Sequence, residues 1–221
     1  QPFWTFLTGD ESLRRRPMGR VAEPLRAMGA TVVGRADGTR LPLGVRGSAA
    51  LRAIAWQTPV ASAQVKSAIL LAGLYADGPV SVTEPAPSRD HSERMLARFG
   101  ARVAREARCV TLSPSAAGLR GTTVRVPGDI SSAAFLLVAG AIVPDGRVTV
   151  RDVGVNPTRT GLLDVLEAMG VRIGRSGESD EGEPTASLSV EAAALRGTTV
   201  GGALIPRLID EVPALAVAAA V

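Results

Sequence analysis

Three copies of one pattern recur along this chain of 221 residues: a helical stretch, a glycine that stops it, and a strand. The glycines are Gly29, Gly100 and Gly170, which are 71 and 70 residues apart, and β-branched residues follow each of them. A glycine just after a helix takes the left-handed conformation that ends it, and β-branched residues favour a strand. Solenoid repeats are usually ~20–50 residues long, so this longer period indicates duplication of a small α/β unit.

A second pattern recurs in the same phase and predicts strongly apolar helices. One helix is predicted over residues 62–74, another ends at residues 139–140, and a looser third copy covers residues 207–221. Each full repeat therefore reads helix, strand, helix, strand, strand, which places the chain in the α/β class. Because the helix over 62–74 is apolar on nearly every face, we expect it to be buried between layers.

Local patterns predict the smaller elements of the first part of the chain. We expect a strand at residues 3–7, a helix over 18–28, a hairpin of strands at 31–33 and 43–45, and an amphipathic helix over 90–99. These elements have the order that the repeat requires.

A crossing between two lobes is predicted near residue 127. Residues 122–126 alternate in the manner of a strand, and a Pro-Gly-Asp sequence then breaks the pattern before the next apolar helix. We therefore predict a partial first lobe over residues 1–127, with about one and a half repeats, and a partial second lobe over 128–221, with one repeat and the start of the next.

The two ends of the sequence lack the signals of a natural start and stop. The first residue is Gln1 rather than methionine, and the apolar run at residues 213–221 has no cap, charge or turn after it. We expect the chain to be an internal segment truncated at both ends.

Composition excludes several classes of protein. Hydrophobic residues make up 46% of the chain, enough for a sizeable core, but no apolar stretch reaches the ~20 residues of a membrane span, so we expect no membrane partner. The net charge is +4, and every basic residue except Lys66 is arginine. Aromatic residues are only 3%, which argues against nucleic-acid binding. A single cysteine, Cys109, fits a reducing cytoplasm.

An arginine run between the first strand and the first long helix is a candidate anion site. Arg16 directly precedes Pro17, a residue suited to the first turn of a helix, so we expect its guanidinium near the positive end of that helix. The alternative is an ordinary solvated surface, which is the usual role of such charge runs.

Polar residues at two predicted helix starts are candidates for binding a phosphorylated polyol. Ser62, Ala63 and Gln64 offer a hydroxyl, an amide and free backbone N–H groups, and Ser88 with Arg89 occupies the same kind of position on the next helix. The alternative is that Ser62 and Ser88 are ordinary N-caps.

Two carboxylates, Asp210 and Glu211, precede the last apolar helix. One of them is a candidate general base with a pKa adjusted by burial, and the alternative is capping of that helix. His91 is the only histidine, so we expect a surface or capping role for it and no metal site.

The motifs that carry these candidates together resemble one family, the 5-enolpyruvylshikimate-3-phosphate (EPSP) synthases. The resemblance spans essentially the whole chain and looks most like the bacterial class II enzymes, which have Ser-Ala-Gln in the middle motif. The segments are LTGDESLRRRPMGR, ASAQVKSAILLAG, PSRDHSERML, VPGDISSAAF, NPTRTGLLDVLEAMG and LIDEVPALAVAAA.

This resemblance implies a fold, a reaction and a set of residue roles. The fold would be an inverse α/β barrel of repeats in two lobes. The reaction would transfer an enolpyruvyl group from phosphoenolpyruvate to shikimate 3-phosphate in chorismate biosynthesis, with no cofactor, in a cytoplasmic monomer. Arg16 would bind phosphoenolpyruvate, and Asp210 would contact substrate and act as the acid–base carboxylate. Shikimate 3-phosphate would be held by Ser62, Gln64, Ser88 and Arg89, with Ala63 contributing only its backbone.

Two other functions remain open at this stage. The enolpyruvyl transferase that acts on UDP-N-acetylglucosamine shares the fold but uses a reactive loop cysteine, whereas Cys109 falls in a predicted strand. A non-catalytic scaffold or RNA-processing protein would leave the placement of Arg16, Gln64, Arg89 and Asp210 at helix starts unexplained. Because further family motifs would lie outside the chain, we expect no turnover from the chain alone.

Overall fold

The computed structural model describes residues 2–221, which divide into two compact units, one ending at Thr122 and the other spanning Thr123–Val221. The predicted lobe boundary at residues 127 and 128 lies inside the second unit and stays a prediction. The elements of the first unit are β1 (Trp4–Leu7), α1 (Glu11–Arg15), α2 (Gly19–Ala27), β2 (Thr31–Gly34), the short turn α3 (Arg35–Gly38), β3 (Arg40–Arg46), β4 (Ala55–Gln57), α4 (Ala63–Gly73), β5 (Val80–Thr83), α5 (His91–Arg98), β6 (Arg102–Glu106) and β7 (Cys109–Ser113).

The second unit repeats the same succession. Its elements are α6 (Ile130–Ile142), β8 (Arg147–Gly154), α7 (Gly161–Ala168), β9 (Ile173–Ser179), β10 (Thr185–Glu191), α8 (Ile205–Leu208) and α9 (Val212–Ala219), with short 3-10 turns at Gly202–Leu204 and Ile209–Glu211. The order helix, strand, helix, strand, strand is met in α4 to β7 and again in α6 to β10. The predicted repeat is therefore confirmed.

Sheet topology also repeats. The first unit has one sheet of order β1-β3-β2 and one of order β4-β5-β7-β6, and the second unit has a sheet of order β8-β10-β9. In each, the later strand of the terminal hairpin lies between the other two, and these pairings are antiparallel. Only β4 differs, since it pairs with β5 in parallel, with Gln57 opposite Thr83.

The three repeat glycines end their helices as predicted. Their φ angles are +99° at Gly29, +85° at Gly100 and +104° at Gly170, a left-handed conformation that favours glycine. In each copy the residue after the glycine donates its backbone N–H back to the helix. Each glycine thus turns the chain into the following strand or loop.

A Leu-Arg pair that follows each hairpin also caps the helix of the same repeat. The arginine backbone N–H groups donate to the carbonyls of the residues just before the three glycines: Arg52 to Met28 (2.8 Å), Arg120 to Phe99 (2.7 Å) and Arg196 to Met169 (3.0 Å). Carbonyls in the last turn of a helix have no partner within the helix, so these bonds satisfy them. The guanidinium groups of Arg52 and Arg196 also donate to carbonyls of that turn, at its negative end.

Each apolar helix packs closely on its own sheet. Ile69 and Leu70 of α4 are buried with Val80, Val82 and Leu112 of the neighbouring strands. In the second unit, α6 packs in the same way on β8 and β10. Burial of this kind stabilises the fold by about 25 cal/mol per Å² of apolar surface.

The expected burial of these helices between layers is only half correct. Leu71 on α4 and Phe135 and Leu136 on α6 remain more than 50% exposed. Besides its sheet, α4 contacts α2 and α6 contacts α9, but part of each helix surface stays exposed, which apolar composition alone could not show. Within residues 2–221, no helix combines the length and apolar character that a bilayer span requires.

Two local predictions are wrong. No strand forms over residues 122–126. The alternation of residue types in this segment does not mark a buried face, since Val126 is exposed. Conversely, the one-turn helix α1 was not predicted. Asp10 caps it by accepting a hydrogen bond from the backbone N–H of Leu13 (2.7 Å).

Candidate functional site

Parallel pairing of β4 and β5 brings two candidate segments together. The strands end at Gln57 and Thr83 in register, so the segments that follow them leave the sheet at the same edge. The backbone N–H of Thr58 donates to the carbonyl of Thr83 (3.0 Å) and continues this pairing. The first segment leads to Ser62 at the start of α4, and the second leads to Ser88 before α5.

Ser62 is the N-cap of α4. Its hydroxyl oxygen accepts a hydrogen bond from the backbone N–H of Val65 (3.4 Å), as the capping interpretation predicted. Because only the oxygen lone pair is used, the hydroxyl proton stays available to an anion at the helix start. The capping and binding roles of Ser62 are therefore compatible.

Ser88 is not a cap. Its hydroxyl donates to Glu84 Oε2 (2.9 Å), and the N-cap of α5 is Asp90, whose carboxylate instead pairs with Arg94 (3.0 Å) and Arg105 (2.9 Å). The other oxygen of Glu84, Oε1, accepts the backbone N–H of Ser62 (2.8 Å). One carboxylate thus joins the two serines that the sequence singled out.

Glu84 belongs to a charge cluster that we call the buried triad: Lys66, Glu84 and Glu93. The ammonium of Lys66 lies 2.9 Å from Glu84 Oε2 and 2.8 Å from Glu93 Oε1, and the three side chains are only 3, 4 and 2% exposed. Burying charges is costly unless they are paired and hydrogen-bonded. The triad meets that condition except at Glu93 Oε2, which has no hydrogen-bond partner.

Gln64 is held at the same edge by an arginine from another helix. Arg20, in the first turn of α2, donates from Nη2 to Gln64 Oε1 (2.7 Å). Ala63 is the first residue of α4 and presents its backbone, and Arg89 is half-buried beside Ser88. The first unit therefore brings Ser62, Ala63 and Gln64 to one helix start.

Arg16 does not occupy the predicted position. It is the C-cap of α1, its backbone N–H donates to the carbonyl of Leu13 (3.1 Å), and Pro17 lies outside any helix. Helix α2 begins only at Gly19, and the N–H of Met18 before it donates to the carbonyl of Thr39 (2.8 Å). Arg16 is exposed, in accord with the solvated-surface alternative, and the expectation of a first helical turn is wrong.

A second candidate group, centred on Arg159, lies within the second unit. Nη2 of Arg159 lies 3.6 Å from Asp210 Oδ2 and 3.4 Å from Glu211 Oε1, and it also donates to the hydroxyl of Ser131. That hydroxyl in turn donates to Glu211. Arg159 thus links the start of α6 to the turn that precedes α9.

The two neighbouring carboxylates differ sharply in exposure. The side chain of Asp210 is 47% exposed, whereas that of Glu211 is 1% exposed. Glu211 is the N-cap residue of α9 but its side chain makes no capping hydrogen bond. The burial expected of the candidate base is therefore found at Glu211 and not at Asp210. The carboxylate of Asp210 remains accessible to a ligand.

The turn that carries Arg159 is held by polar side chains on both sides of it. Oδ1 of Asn156 accepts hydrogen bonds from the backbone N–H (2.9 Å) and hydroxyl (2.7 Å) of Thr158. Arg207 donates to the carbonyl of Pro157 (2.7 Å) and pairs with Asp164 (2.7 Å). These contacts fix the backbone on both sides of Arg159.

Asp129 caps α6 beside this group. Burial alone would raise the pKa of Asp129. The pKa is nevertheless held below its ordinary value of 3.8, because the carboxylate accepts hydrogen bonds from the Ser132 hydroxyl and from the backbone N–H groups of Ser131 and Ser132, and because Arg159 carries a positive charge nearby. A carboxyl whose pKa is lowered by folding stabilises the folded state at pH values above its ordinary pKa. This contribution is lost as the pH falls through the pKa of the folded state.

We expect Asp129→Ala to lower the free energy of unfolding by about 1 kcal/mol at neutral pH, the usual contribution of an N-cap. The loss should shrink as the pH falls below 3.8, because the cap of the original protein then becomes protonated. Unfolding midpoints of the two proteins across this range measure the effect. A difference that stays constant or grows on acidification would contradict the assignment.

Metal and cysteine chemistry find no support at these positions. Within residues 2–221, no group of three or more His, Cys, Asp or Glu side chains could hold a metal ion. His91 is the first residue of α5 and is half-buried, and Cys109 is the first residue of β7, as its predicted strand required.

A family model described as EPSP synthase (3-phosphoshikimate 1-carboxyvinyltransferase) matches residues 1–221. The chain belongs to the EPSP synthase family. The family resemblance identified from the sequence motifs is therefore confirmed.

Members of the EPSP synthase family match along the whole chain. The 3-phosphoshikimate 1-carboxyvinyltransferase of Desulforudis audaxviator is 58% identical over 221 residues, which are 100% of this chain and 51% of that protein. The protein of the same name from Geobacillus kaustophilus is 55% identical over 223 residues, covering 99% of this chain and 51% of its own length. The chain spans about half the length of the curated relatives it matches.

A solved EPSP synthase supports the same fold. The structure from Acinetobacter baumannii matches with a TM-score of 0.88 and 45% identity, covering 100% of this chain and 50% of that chain. The predicted α/β repeat architecture of the two-lobed family is thus confirmed for the part that this chain covers.

Sequence reasoning missed the residues that hold the candidates in place. These are the triad of Lys66, Glu84 and Glu93, and the arginines Arg20 and Arg159. One signal was available: the only lysine of the chain stands in a helix that is otherwise almost wholly apolar. A charge in such a helix predicts a buried partner, because an isolated buried charge is too costly.

Proposed function

We propose that the protein acts in enolpyruvyl transfer from phosphoenolpyruvate to shikimate 3-phosphate, yielding 5-enolpyruvylshikimate 3-phosphate and phosphate. This would make it a transferase of aromatic amino acid and chorismate biosynthesis. The observation that carries the proposal is the helix start at Ser62, where Glu84 ties Ser62 to Ser88 and Arg20 orients Gln64. Relatives with the name 3-phosphoshikimate 1-carboxyvinyltransferase support it.

The first unit would bind the phosphorylated acceptor. The hydroxyl of Ser62 keeps its proton for a phosphate oxygen, and the free N–H groups at the start of α4 favour an anion. Ala63 would contribute its backbone, Gln64 its amide, and Ser88 and Arg89 further polar contacts. Arg16, exposed just after α1, would bind phosphoenolpyruvate.

The second unit would supply proton transfer. Asp210 is accessible and lies within 3.6 Å of the Arg159 guanidinium, which holds it in place. Asp210 would take the proton of the attacking ring hydroxyl as that oxygen bonds to phosphoenolpyruvate. In this addition carbon 3 of phosphoenolpyruvate would gain a proton, and it would lose one again as phosphate leaves the tetrahedral intermediate and the double bond is restored. The step uses side chains alone and calls for no cofactor.

The lobe boundary and the cellular setting belong to the same proposal. Residues 1–127 and 128–221 would contribute to different lobes. The parent protein would work as a monomer in the cytoplasm on small molecules, without nucleic acid or membrane partners.

The test uses a complete enzyme in which this chain replaces the matching half of the Desulforudis audaxviator relative; we call it the chimera. Phosphate release from phosphoenolpyruvate is followed with shikimate 3-phosphate or UDP-N-acetylglucosamine as acceptor. We expect release with the first acceptor only, and none from the chain alone. A folded chimera that is silent with both acceptors, or active only with the second, would contradict the proposal.

A further inference from the structure

The buried triad of Lys66, Glu84 and Glu93 has no role in the reaction described above, yet it touches the proposed binding residues directly. It lies beneath the start of α4, and all its members are at least nine-tenths buried. A cluster of one ammonium and two carboxylates carries a net negative charge. Replacing such clusters by apolar groups is often neutral or stabilising, so stability alone does not account for it.

Glu84 makes three hydrogen bonds or ion pairs that together use both carboxylate oxygens. Oε1 accepts the backbone N–H of Ser62, and Oε2 accepts the hydroxyl of Ser88 and the ammonium of Lys66. Ser62 and Ser88 lie on separate segments, 22 and 4 residues from Glu84 in the sequence. Their spacing is therefore set through this one carboxylate.

The bond to Glu84 also decides what Ser88 can offer to a ligand. A hydroxyl has one proton, and that of Ser88 is donated to Glu84, so its oxygen presents lone pairs outward. Ser62 differs, because its backbone N–H is used by Glu84 while its hydroxyl proton is not. The Glu84 carboxylate thus orients the Ser88 hydroxyl as a hydrogen-bond acceptor and leaves the Ser62 hydroxyl as a hydrogen-bond donor.

We propose that Glu84 is a positioning residue for binding of the enolpyruvyl acceptor, shikimate 3-phosphate, with Lys66 holding its carboxylate in place. This inference rests on the proposed function, since it concerns how that acceptor is held. Glu84 acts through Ser62 and Ser88 and does not touch the substrate. Both serines that Glu84 contacts are assigned to shikimate 3-phosphate, so the effect should be confined to that substrate.

The test is Glu84→Gln in the chimera. A glutamine has one carbonyl oxygen, so in either orientation its NH₂ group faces a donor, the Ser62 N–H or the Lys66 ammonium. The substitution also cancels the excess charge of the triad, so the fold should survive. We expect KM for shikimate 3-phosphate to rise about tenfold, as for loss of a charge-assisted hydrogen bond, with kcat and KM for phosphoenolpyruvate within about twofold.

Glu93→Gln is the matched control. Glu93 is equally buried and also pairs with Lys66, but it contacts neither Ser62 nor Ser88 in the described structure. We expect KM for shikimate 3-phosphate to stay unchanged in this variant. Equal shifts in both variants, or no shift in Glu84→Gln, would overturn the inference. Turnover by the unsubstituted chimera separates this failure from failure of the proposed function.

A measurement without substitution decides the matter if Glu84→Gln does not fold. Hydrogen exchange of the Ser62 backbone amide is followed in the unsubstituted chimera, with and without shikimate 3-phosphate. Because Glu84 already accepts this N–H, exchange should be slow in both conditions. Fast exchange that slows only with shikimate 3-phosphate would mean that the ligand binds the amide itself, and would overturn the inference.

Discussion

Replacing Lys66 by methionine is expected to lower the free energy of unfolding by about 3–5 kcal/mol, the usual loss when one partner of a buried ion pair is removed. Lys66 is the cation between Glu84 and Glu93, and all three side chains are almost fully buried. Without it, two buried carboxylates would face one another. Urea or thermal unfolding measures the loss.

Two further variants separate this effect from general disruption. Arg15→Met removes the cation of an exposed pair with Glu11 and should cost no more than about 1 kcal/mol, because exposed ion pairs contribute little. The double variant Lys66→Met with Glu93→Gln should recover part of the loss, since it removes one of the two buried carboxylate charges that Lys66 neutralises. A small loss in Lys66→Met, or no recovery in the double variant, would contradict the account of the triad.

Asp210→Asn is expected to lower kcat of the chimera by about 10²–10⁴-fold, the usual contribution of a general acid–base group. An amide cannot take the hydroxyl proton, and the substitution removes the charge that faces Arg159 at 3.6 Å. Because the side chain is about half exposed, unfolding should be little affected. Steady-state phosphate release and a thermal unfolding curve measure the two properties.

Asp152→Asn is the control for this substitution. Asp152 is also exposed and pairs with an arginine, Arg125, at 3.0 Å, but in the described structure its carboxylate contacts Arg125 and not Arg159. The kcat of the chimera with Asp152→Asn should remain within about twofold of that of the unsubstituted chimera, in line with the small effects of surface substitutions. If both variants lost activity equally, Asp210 would have no special place in the chemistry.

The repeat could be predicted because its signals are local. Glycine at positions 29, 100 and 170 requires a left-handed backbone, and this needs no knowledge of the rest of the chain. Apolar periodicity located α2, α4 and α5 to within about two residues, the usual uncertainty at helix ends.

What could not be predicted depends on contacts between distant segments. Helix α2 begins at Gly19, where the Met18 N–H bonds to the carbonyl of the distant Thr39, and Arg16 falls outside the helix that its proline suggested. The capping alternative is wrong for Ser88, because its hydroxyl donates to Glu84. The parallel pairing of β4 and β5 brings the distant Ser62 to the same carboxylate.

In the candidate site, too, local signals could be predicted and contacts between distant segments could not. Residue types at helix starts suggested Ser62, Gln64 and Asp210, and the structure places each of them at or next to such a start. Their supporting groups were not foreseen, since Arg20 and Arg159 reach them from elements 44 and about 50 residues away.

The most direct test of the proposed reaction is ³¹P NMR of the chimera mixed with phosphoenolpyruvate and shikimate 3-phosphate. Enolpyruvyl transfer predicts that both starting signals fall together, while inorganic phosphate and 5-enolpyruvylshikimate 3-phosphate appear in equal amounts. Loss of phosphoenolpyruvate to phosphate with shikimate 3-phosphate unchanged, or a spectrum that does not change with folded protein, would contradict the proposed function.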